Sequence, residues 1–492
     1  MPRKKIAVVV THGMGEQIPM ETLRNFVEAA WVTNKAEHWP KTPSDENSGD
    51  IWFTPDPAAG SLELRRITTR WTKSKVTPTE QGPRVDFFEF YWADLAEGTT
   101  VEEVTDWVQT LLLRWPWHVP KGLMATWLFL WLASALLVVA SAGVFYPWEN
   151  PWWRAASAVA ALAVGALMRK LIAPYLGDVA RYVRADPRNI AIRYAIRKRG
   201  LKLLNDLHKT QSYERIIMVA HSLGTVIAYD LVSLMWATRS KALTVQEDEP
   251  LFQKLRAVET AAHSLAGATN ADRTKLQQVY REAQRTLRLA LRSGGEDGTG
   301  RPRAPEEEWL ISDFVTLGSP LAHAEFLLAR DPGDLKEKIT RFLFPTDMPQ
   351  FQLVQTEQRN KILNRQPPPP TEKTFGPEGG LFSYFLGPPE KPDDPKKWTL
   401  HHAAPFAAVR WTNIHDPHRL IFQGDVISGP VAPIFGAGIR DIDLRELRGQ
   451  SYVFSHTLYW ALPTGRGWMA HIEALRKAID LQDTPDSQLW PV

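Results

Sequence analysis

An apolar run that stops on a serine set between small residues constrains this chain more than any other feature. Residues 215–230, RIIMVAHSLGTVIAYD, begin as a strand rich in branched side chains and continue as a helix. A chain that turns from strand to helix over one residue forces that residue into strained backbone angles. The positions two before and two after it must then be small, so that strand and helix can meet. Ala220 and Gly224 satisfy the demand on either side of Ser222. Such an elbow lifts the Ser222 hydroxyl above the end of a sheet. It also puts the N–H of Leu223 at a helix start, where the dipole favours a developing negative charge. The expectation is a nucleophilic serine with one half of an oxyanion hole.

The start of the chain offers the other half. Residues 6–11 read as a buried strand that runs into His12, Gly13, Met14 and Gly15. Glycines after a strand let a loop pass close to a substrate carbonyl, and the N–H of Met14 is the expected second donor. His12 and His221 are expected to be fixed by local hydrogen bonds, and Glu16 and Asp230 to be structural.

A nucleophilic serine needs a base and a group that orients the base, and behind an elbow of this kind they follow in the order serine, acid, histidine. The next strand, residues 312–317, ends in Gly318-Ser319-Pro320 without a carboxylate at its mouth. The acid is therefore expected after the following strand, residues 407–414. Asp425 in GDVISGP is favoured, because a tight turn opening into a short apolar run holds a carboxylate rigidly. Asp416, nearer the strand end, stays open as the alternative. His456 in SYVFSHTLYW lies downstream of both acids and outside a helical pattern, whereas His471 falls in the helical spacing of WMAHIEALRKAIDL. His456 is the expected base.

Together, the strand with HGMGEQ, the VAHSLGTVIAYD elbow, VTLGSPL, WTNIHDP with GDVIS, and SHTLYW resemble the serine esterases and lipases of the α/β-hydrolase superfamily. Membrane-associated lipid deacylases and phospholipase A1-like enzymes are the nearest in pattern. The resemblance implies an α/β fold, a mostly parallel central sheet with helices on both faces. It further implies Ser222 as nucleophile, Asp425 as acid and His456 as base, acting through an acyl-enzyme without metal or organic cofactor. Val426 departs from the proline that often follows the acid, and residues 418–423 read as an insertion before it. The expected activity is cleavage of an acyl ester, with a membrane lipid as substrate. An acyl-protein or acyl-CoA thioesterase and a scaffold without turnover are the alternatives.

Residues 123–145 are twenty-three positions without a charge. At about 1.5 Å per residue they are long enough for a hydrocarbon core of about 30 Å. A second apolar segment, residues 155–168, follows the loop YPWENP and stops at Arg169 and Lys170, with tryptophans at both ends of the pair. The pair reads as a transmembrane or membrane-embedded helical hairpin. Its basic flanks, Arg114, Lys121, Arg169, Lys170, Arg181 and Arg184, place the globular parts on the cytoplasmic side of an inner-membrane-type bilayer. Small residues in the second segment would let copies associate through the hairpin.

A net charge of +3 over 492 residues is no nucleic-acid footprint, and the absence of cysteine excludes disulfides and thiolate metal sites. The MPRKK start leads straight into a core strand rather than a signal peptide. The expected core is discontinuous, in residues 1–100, 186–242, 309–330 and 405–492. The hairpin with its approach helices, residues 101–113 and 178–182, occupies 101–185, a charged helical insertion and linker 243–308, and a proline-rich cap or lid 331–404. Residues 63–71 and 84–92 read as further strands, with Glu89 as a cross-strand or edge residue in preference to a polar group of the site.

Overall fold

The structure, a computed structural model, describes residues 5–13, 18–32, 51–56, 63–69, 83–96, 112–119, 124–183, 187–240, 243–292, 308–351, 381–386, 394–417, 423–448, 455–462 and 470–490. Its strands in chain order are β1 (Lys5–Thr11), β2 (Ile51–Pro55), β3 (Arg65–Thr69), β4 (Val85–Phe90), β5 (Tyr213–His221), β6 (Val245–Gln246), β7 (Ile311–Leu317), β8 (Ser383–Phe385), β9 (Lys397–Leu400), β10 (Arg410–His415) and β11 (Arg440–Asp443). Eight of them form one sheet in the order β11-β10-β7-β5-β1-β4-β3-β2. The run from β11 to β4 is parallel, and β3 and β2 close one edge as an antiparallel pair. Strands such as IAVVV and RIIMVA are apolar without alternation because helices cover both faces.

The helices used below are α1 (Glu21–Val27), α2 (Met124–Phe145), α3 (Pro151–Val183), α4 (Pro187–Lys209), α5 (Leu223–Arg239), α6 (Pro250–Ala266), α7 (Arg273–Ala290) and α8 (Ala470–Ile479). One face of the sheet packs on α4, α5 and α7, the other on α1 and α8. At the N-terminal edge of the sheet a buried ion network ties the strands to the end of the chain. Asp313 on β7 receives Arg410 of β10 at 2.8 Å and Arg215 of β5 at 3.2 Å, and Arg410 also reaches Asp480. Breaking such a pair leaves a buried charge unmatched, so the network fixes how the C-terminal residues dock.

The insertion after α5 is no solvated excursion. Arg281 and Gln284 of α7 are buried and donate to the carbonyls of Trp411, Phe406 and Val409, so the α6–α7 pair forms part of the layer over β10. The proline-rich region contributes β8 and β9, which join β6 in a separate three-stranded sheet. The proline run at 367–370 and most of the 293–308 linker lie outside the described residues.

Helices α2 and α3 form a hairpin, and they approach closely where Gly143 faces Ser157: a Cβ on Gly143 would lie 2.5 Å from the serine Oγ. The approach helix expected at 178–182 is the end of α3 itself, while the one expected at 101–113 falls almost wholly outside the described residues. Among the described residues no helix is long and apolar enough to cross a membrane. The expected transmembrane crossing is thus unsupported, and the physical reason is clearest in α3. Its uncharged stretch spans about 21 Å between Arg154 and Arg169, short of the roughly 30 Å core. The hairpin itself is present, with Leu128, Leu132, Leu136, Val138, Val139 and Leu162 each more than half exposed.

The hairpin is rooted at the C-terminal edge of the sheet. Arg199 on α4 bonds Asp94 and the carbonyl of Tyr91, just past the end of β4. Tyr182 near the end of α3 donates to Asp230 on α5 at 2.7 Å, and Arg197 bonds the same carboxylate oxygen. Asp230 is thus structural, as expected. On the other side, Arg114 donates to the carbonyl of Ala329 and lies over the ring of Phe326, beyond β7.

Candidate active site

Four neighbouring strands, β1, β5, β7 and β10, end at one edge of the sheet, where ligands of open parallel sheets bind. At the end of β5, Ser222 takes φ 52° and ψ −131°, the strained backbone that an elbow requires. Its N–H donates to the Leu317 carbonyl at 3.0 Å, which pins the elbow to β7. Leu223 is the first residue of α5, so its N–H has no intrahelical acceptor and is available as an oxyanion donor.

The neighbours are small because the backbone leaves no room. A Cβ on Gly224 would stand 2.3 Å from the carbonyl oxygen of His12. One on Gly13 would stand 2.9 Å from the Cβ of Ser222. Ala220 is fully buried in the core beneath the elbow. Met14, Gly15 and Glu16 lie outside the described residues. His12 is fixed as expected: its Nε2 accepts the N–H of Trp92 at 3.1 Å, so Nδ1 carries the proton and donates to the Gly13 carbonyl at 2.8 Å. Burial lowers its pKa to about 4 and keeps it neutral.

His456 Nε2 lies 2.8 Å from Ser222 Oγ, and its Nδ1 lies 2.9 Å from Asp425 Oδ2. An ionised carboxylate only accepts, so Nδ1 carries the proton and Nε2 presents its lone pair to the serine hydroxyl. Asp425 is buried. Burial pushes its carboxyl up, but His456 and the hydrogen bonds from Tyr459 and Ile427 outweigh this and hold it well below the usual carboxylate range. The alternative acid, Asp416, is brought beside Asp425 and engages it through its backbone. It supplies the carbonyl that accepts Asp425 N–H at 2.8 Å, while Pro417 pairs with Asp425 as an extension of β10. Residues 418–422 of the expected insertion lie outside the described residues, and Gly424, just before the acid, takes a φ of 86° that suits a tight turn.

Several residues of the site were not foreseen. Gly318, at φ +58°, is the floor under the acid and base: a Cβ there would meet Tyr459 Cε2 at 2.6 Å and Asp425 Oδ2 at 3.0 Å. The available signal was a glycine at a strand end that lacked a carboxylate. His221, expected to be fixed by local hydrogen bonds, instead donates through Nε2 to the distant carbonyl of His456 at 2.7 Å and packs against its ring, which holds the base segment over the elbow. Burial lowers the His221 pKa to about 3, so this histidine is no competing base at neutral pH. Glu89 is not an edge residue. It is buried on β4 and accepts the N–H of Met20 at 2.6 Å, and burial raises its pKa to about 7. His471 is buried in α8, with its ring bonded to the carbonyl of Ala461.

Among the described residues no group of histidine and carboxylate side chains could hold a metal ion. The arrangement is a hydroxyl, an imidazole with its lone pair toward that hydroxyl, and a carboxylate behind the imidazole. That set can move a proton off Ser222 and return it. No family model, curated protein or solved structure matches the chain, so the reading of this site rests on its own geometry.

Proposed function

We propose that the chain is a serine hydrolase of the α/β-hydrolase fold that cleaves acyl esters of membrane lipids from the surface of a bilayer. The observation that carries the proposal is the continuous hydrogen-bonded line from Ser222 through His456 to Asp425 on a strained elbow. His456 Nε2 takes the hydroxyl proton as Ser222 Oγ bonds to the ester carbonyl carbon. Asp425 stabilises the imidazolium, and the Leu223 N–H donates to the oxyanion. The second donor, Met14 N–H, is carried over from the sequence. Collapse breaks the bond to the alkoxide, which leaves as alcohol with the imidazolium proton. Water, deprotonated by His456, then attacks the acyl-enzyme and frees the acid and Ser222.

The test is covalent. A fluorophosphonate probe added to the full-length protein is expected to form one adduct, on the tryptic peptide of residues 216–239 that contains Ser222. A folded chain that stays unlabelled, or is labelled elsewhere, ends this reading.

The hairpin is what supports a lipid substrate. It leaves the body at the edge of the sheet that carries Ser222, its apolar side chains face solvent, and tryptophans Trp115, Trp117, Trp152 and Trp153 are exposed at its base and tip. In our reading the hairpin beds into the bilayer on the side of its basic flanks, with the globular part in the cytoplasm. A Leu132→Asp, Val139→Asp double variant should lose sedimentation with phospholipid vesicles. Each buried apolar side chain contributes about 1.5–3 kcal/mol, so the pair should lower partitioning at least about 100-fold. Probe labelling in detergent should survive. Unchanged sedimentation would remove the membrane from the proposal and leave the hydrolase.

A further inference from the structure

We infer that Ser428 and Tyr459 form a positioning relay behind the acid, starting at the backbone of Asp416 and ending on the carboxylate oxygen that His456 uses. The inference rests on the serine hydrolase reading and adds two residues to it.

Tyr459 Oη lies 2.8 Å from Asp425 Oδ2 and 3.0 Å from Ser428 Oγ. A phenol has one proton, and an ionised carboxylate accepts only, so that proton goes to Asp425. Ser428 must then donate its own hydroxyl proton to the phenol oxygen. Ser428 Oγ in turn accepts the N–H of Asp416 at 3.3 Å. Each member thus orients the next: Asp416 N–H, Ser428 hydroxyl, Tyr459 hydroxyl, Asp425 Oδ2. Because a backbone N–H cannot reverse, the direction of the relay is fixed from its strand end. Ser428 and Tyr459 are both buried, and burial with the neighbouring Asp425 carries the phenol well above its ordinary value, so it remains a donor at working pH.

The placement has a mechanical consequence. Asp425 Oδ1 is held by the Ile427 N–H at 2.9 Å, and Oδ2 is shared by Tyr459 and His456. The Tyr459 bond adds a second donor that keeps Oδ2 facing the imidazole, whereas without it His456 alone holds that oxygen. Tyr459 also lies three residues after His456, so one short segment delivers both the base and the clamp on its acid.

The test uses the full-length protein and a water-soluble short-chain nitrophenyl ester, with Tyr459→Phe and Ser428→Ala compared with wild type over pH. A carboxylate that loses a donor holds a neighbouring positive charge more strongly, so the acid limb of kcat/KM for Tyr459→Phe should move upward by about half a pH unit. Its kcat should fall about 10-fold as the acid loses its orientation. Ser428→Ala keeps the last bond and should move both quantities the same way by less. The other titratable groups against this cluster are His456, His221, His415 and Asp416. Burial lowers His221 and His415, so the limb reports the Asp425–His456 pair. A limb in Tyr459→Phe that superimposes on wild type overturns the relay, as does a larger effect from Ser428→Ala. A wild type without Ser222-dependent turnover removes instead the hydrolase reading beneath it.

Discussion

Asp425→Asn should lower kcat by about 10⁴-fold, as removal of the acid's charge does in this type of triad, while Asp416→Asn should cost less than about 10-fold. The argument comes from the donors around Asp425. Ile427 N–H points at Oδ1 from the backbone and cannot turn, so an asparagine must place its carbonyl oxygen there. The amide NH₂ then occupies the Oδ2 position, facing Tyr459 Oη and His456 Nδ1. An amide donor at Nδ1 forces the imidazole proton onto Nε2. The lone pair that should receive the Ser222 proton is thereby lost, and so is the charge that stabilises the imidazolium. At Asp416 the hydrogen bonds to Asp425 and Ser428 run through the backbone carbonyl and N–H, which asparagine retains. Burst kinetics with a nitrophenyl ester measure both variants, with acylation rate as the readout. If Asp416→Asn alone abolishes acylation, the acid has been misassigned.

The sequence made the elbow legible because its demands are local. A strained serine needs Ala220 and Gly224 within two residues, and a sheet buried on both faces needs unbroken runs such as residues 6–11. Strand identity at 65–69 and 85–90 followed from the same local pattern. The acid was harder, because Asp425 lies ten residues past the end of β10 and meets the strand end through its pairing with Pro417. Spacing from the strand therefore favoured Asp416, and turn chemistry favoured Asp425. Gly318, Tyr459 and Ser428 were beyond reach for another reason. Each is specified by atoms more than ninety residues away or across a loop, and no periodicity encodes that. The edge strand at 51–55 and the small β6-β9-β8 sheet depend likewise on pairing between distant segments. The hairpin's helices were evident from their apolarity, but apolarity alone does not distinguish a span from a surface that beds into lipid.

Gly224→Ala should both destabilise the fold and impair catalysis, against the usual direction of this substitution. In an open helix position alanine is favoured over glycine by about 1 kcal/mol, through helix propensity and the reduced entropy of the unfolded chain. Here the added Cβ would lie 2.3 Å from the His12 carbonyl oxygen and 2.9 Å from that of Thr11. Both are backbone atoms at the end of β1, and neither can rotate away as a side chain would. The start of α5 must therefore move off β1 by roughly 1 Å, and overpacking of this kind costs about 1–3 kcal/mol, which outweighs the propensity gain. The displaced atoms include the Leu223 N–H, and the crowded carbonyls lead directly into Gly13, which lies against Ser222. Misplacement by 1 Å in a reacting array costs about 100-fold in rate, so kcat should fall by that order while KM changes little. Denaturant unfolding and steady-state kinetics on the same preparation separate the two effects. A variant that is as stable as wild type, or that keeps its kcat, would show that the contact between α5 and β1 does not set the geometry of the oxyanion donor.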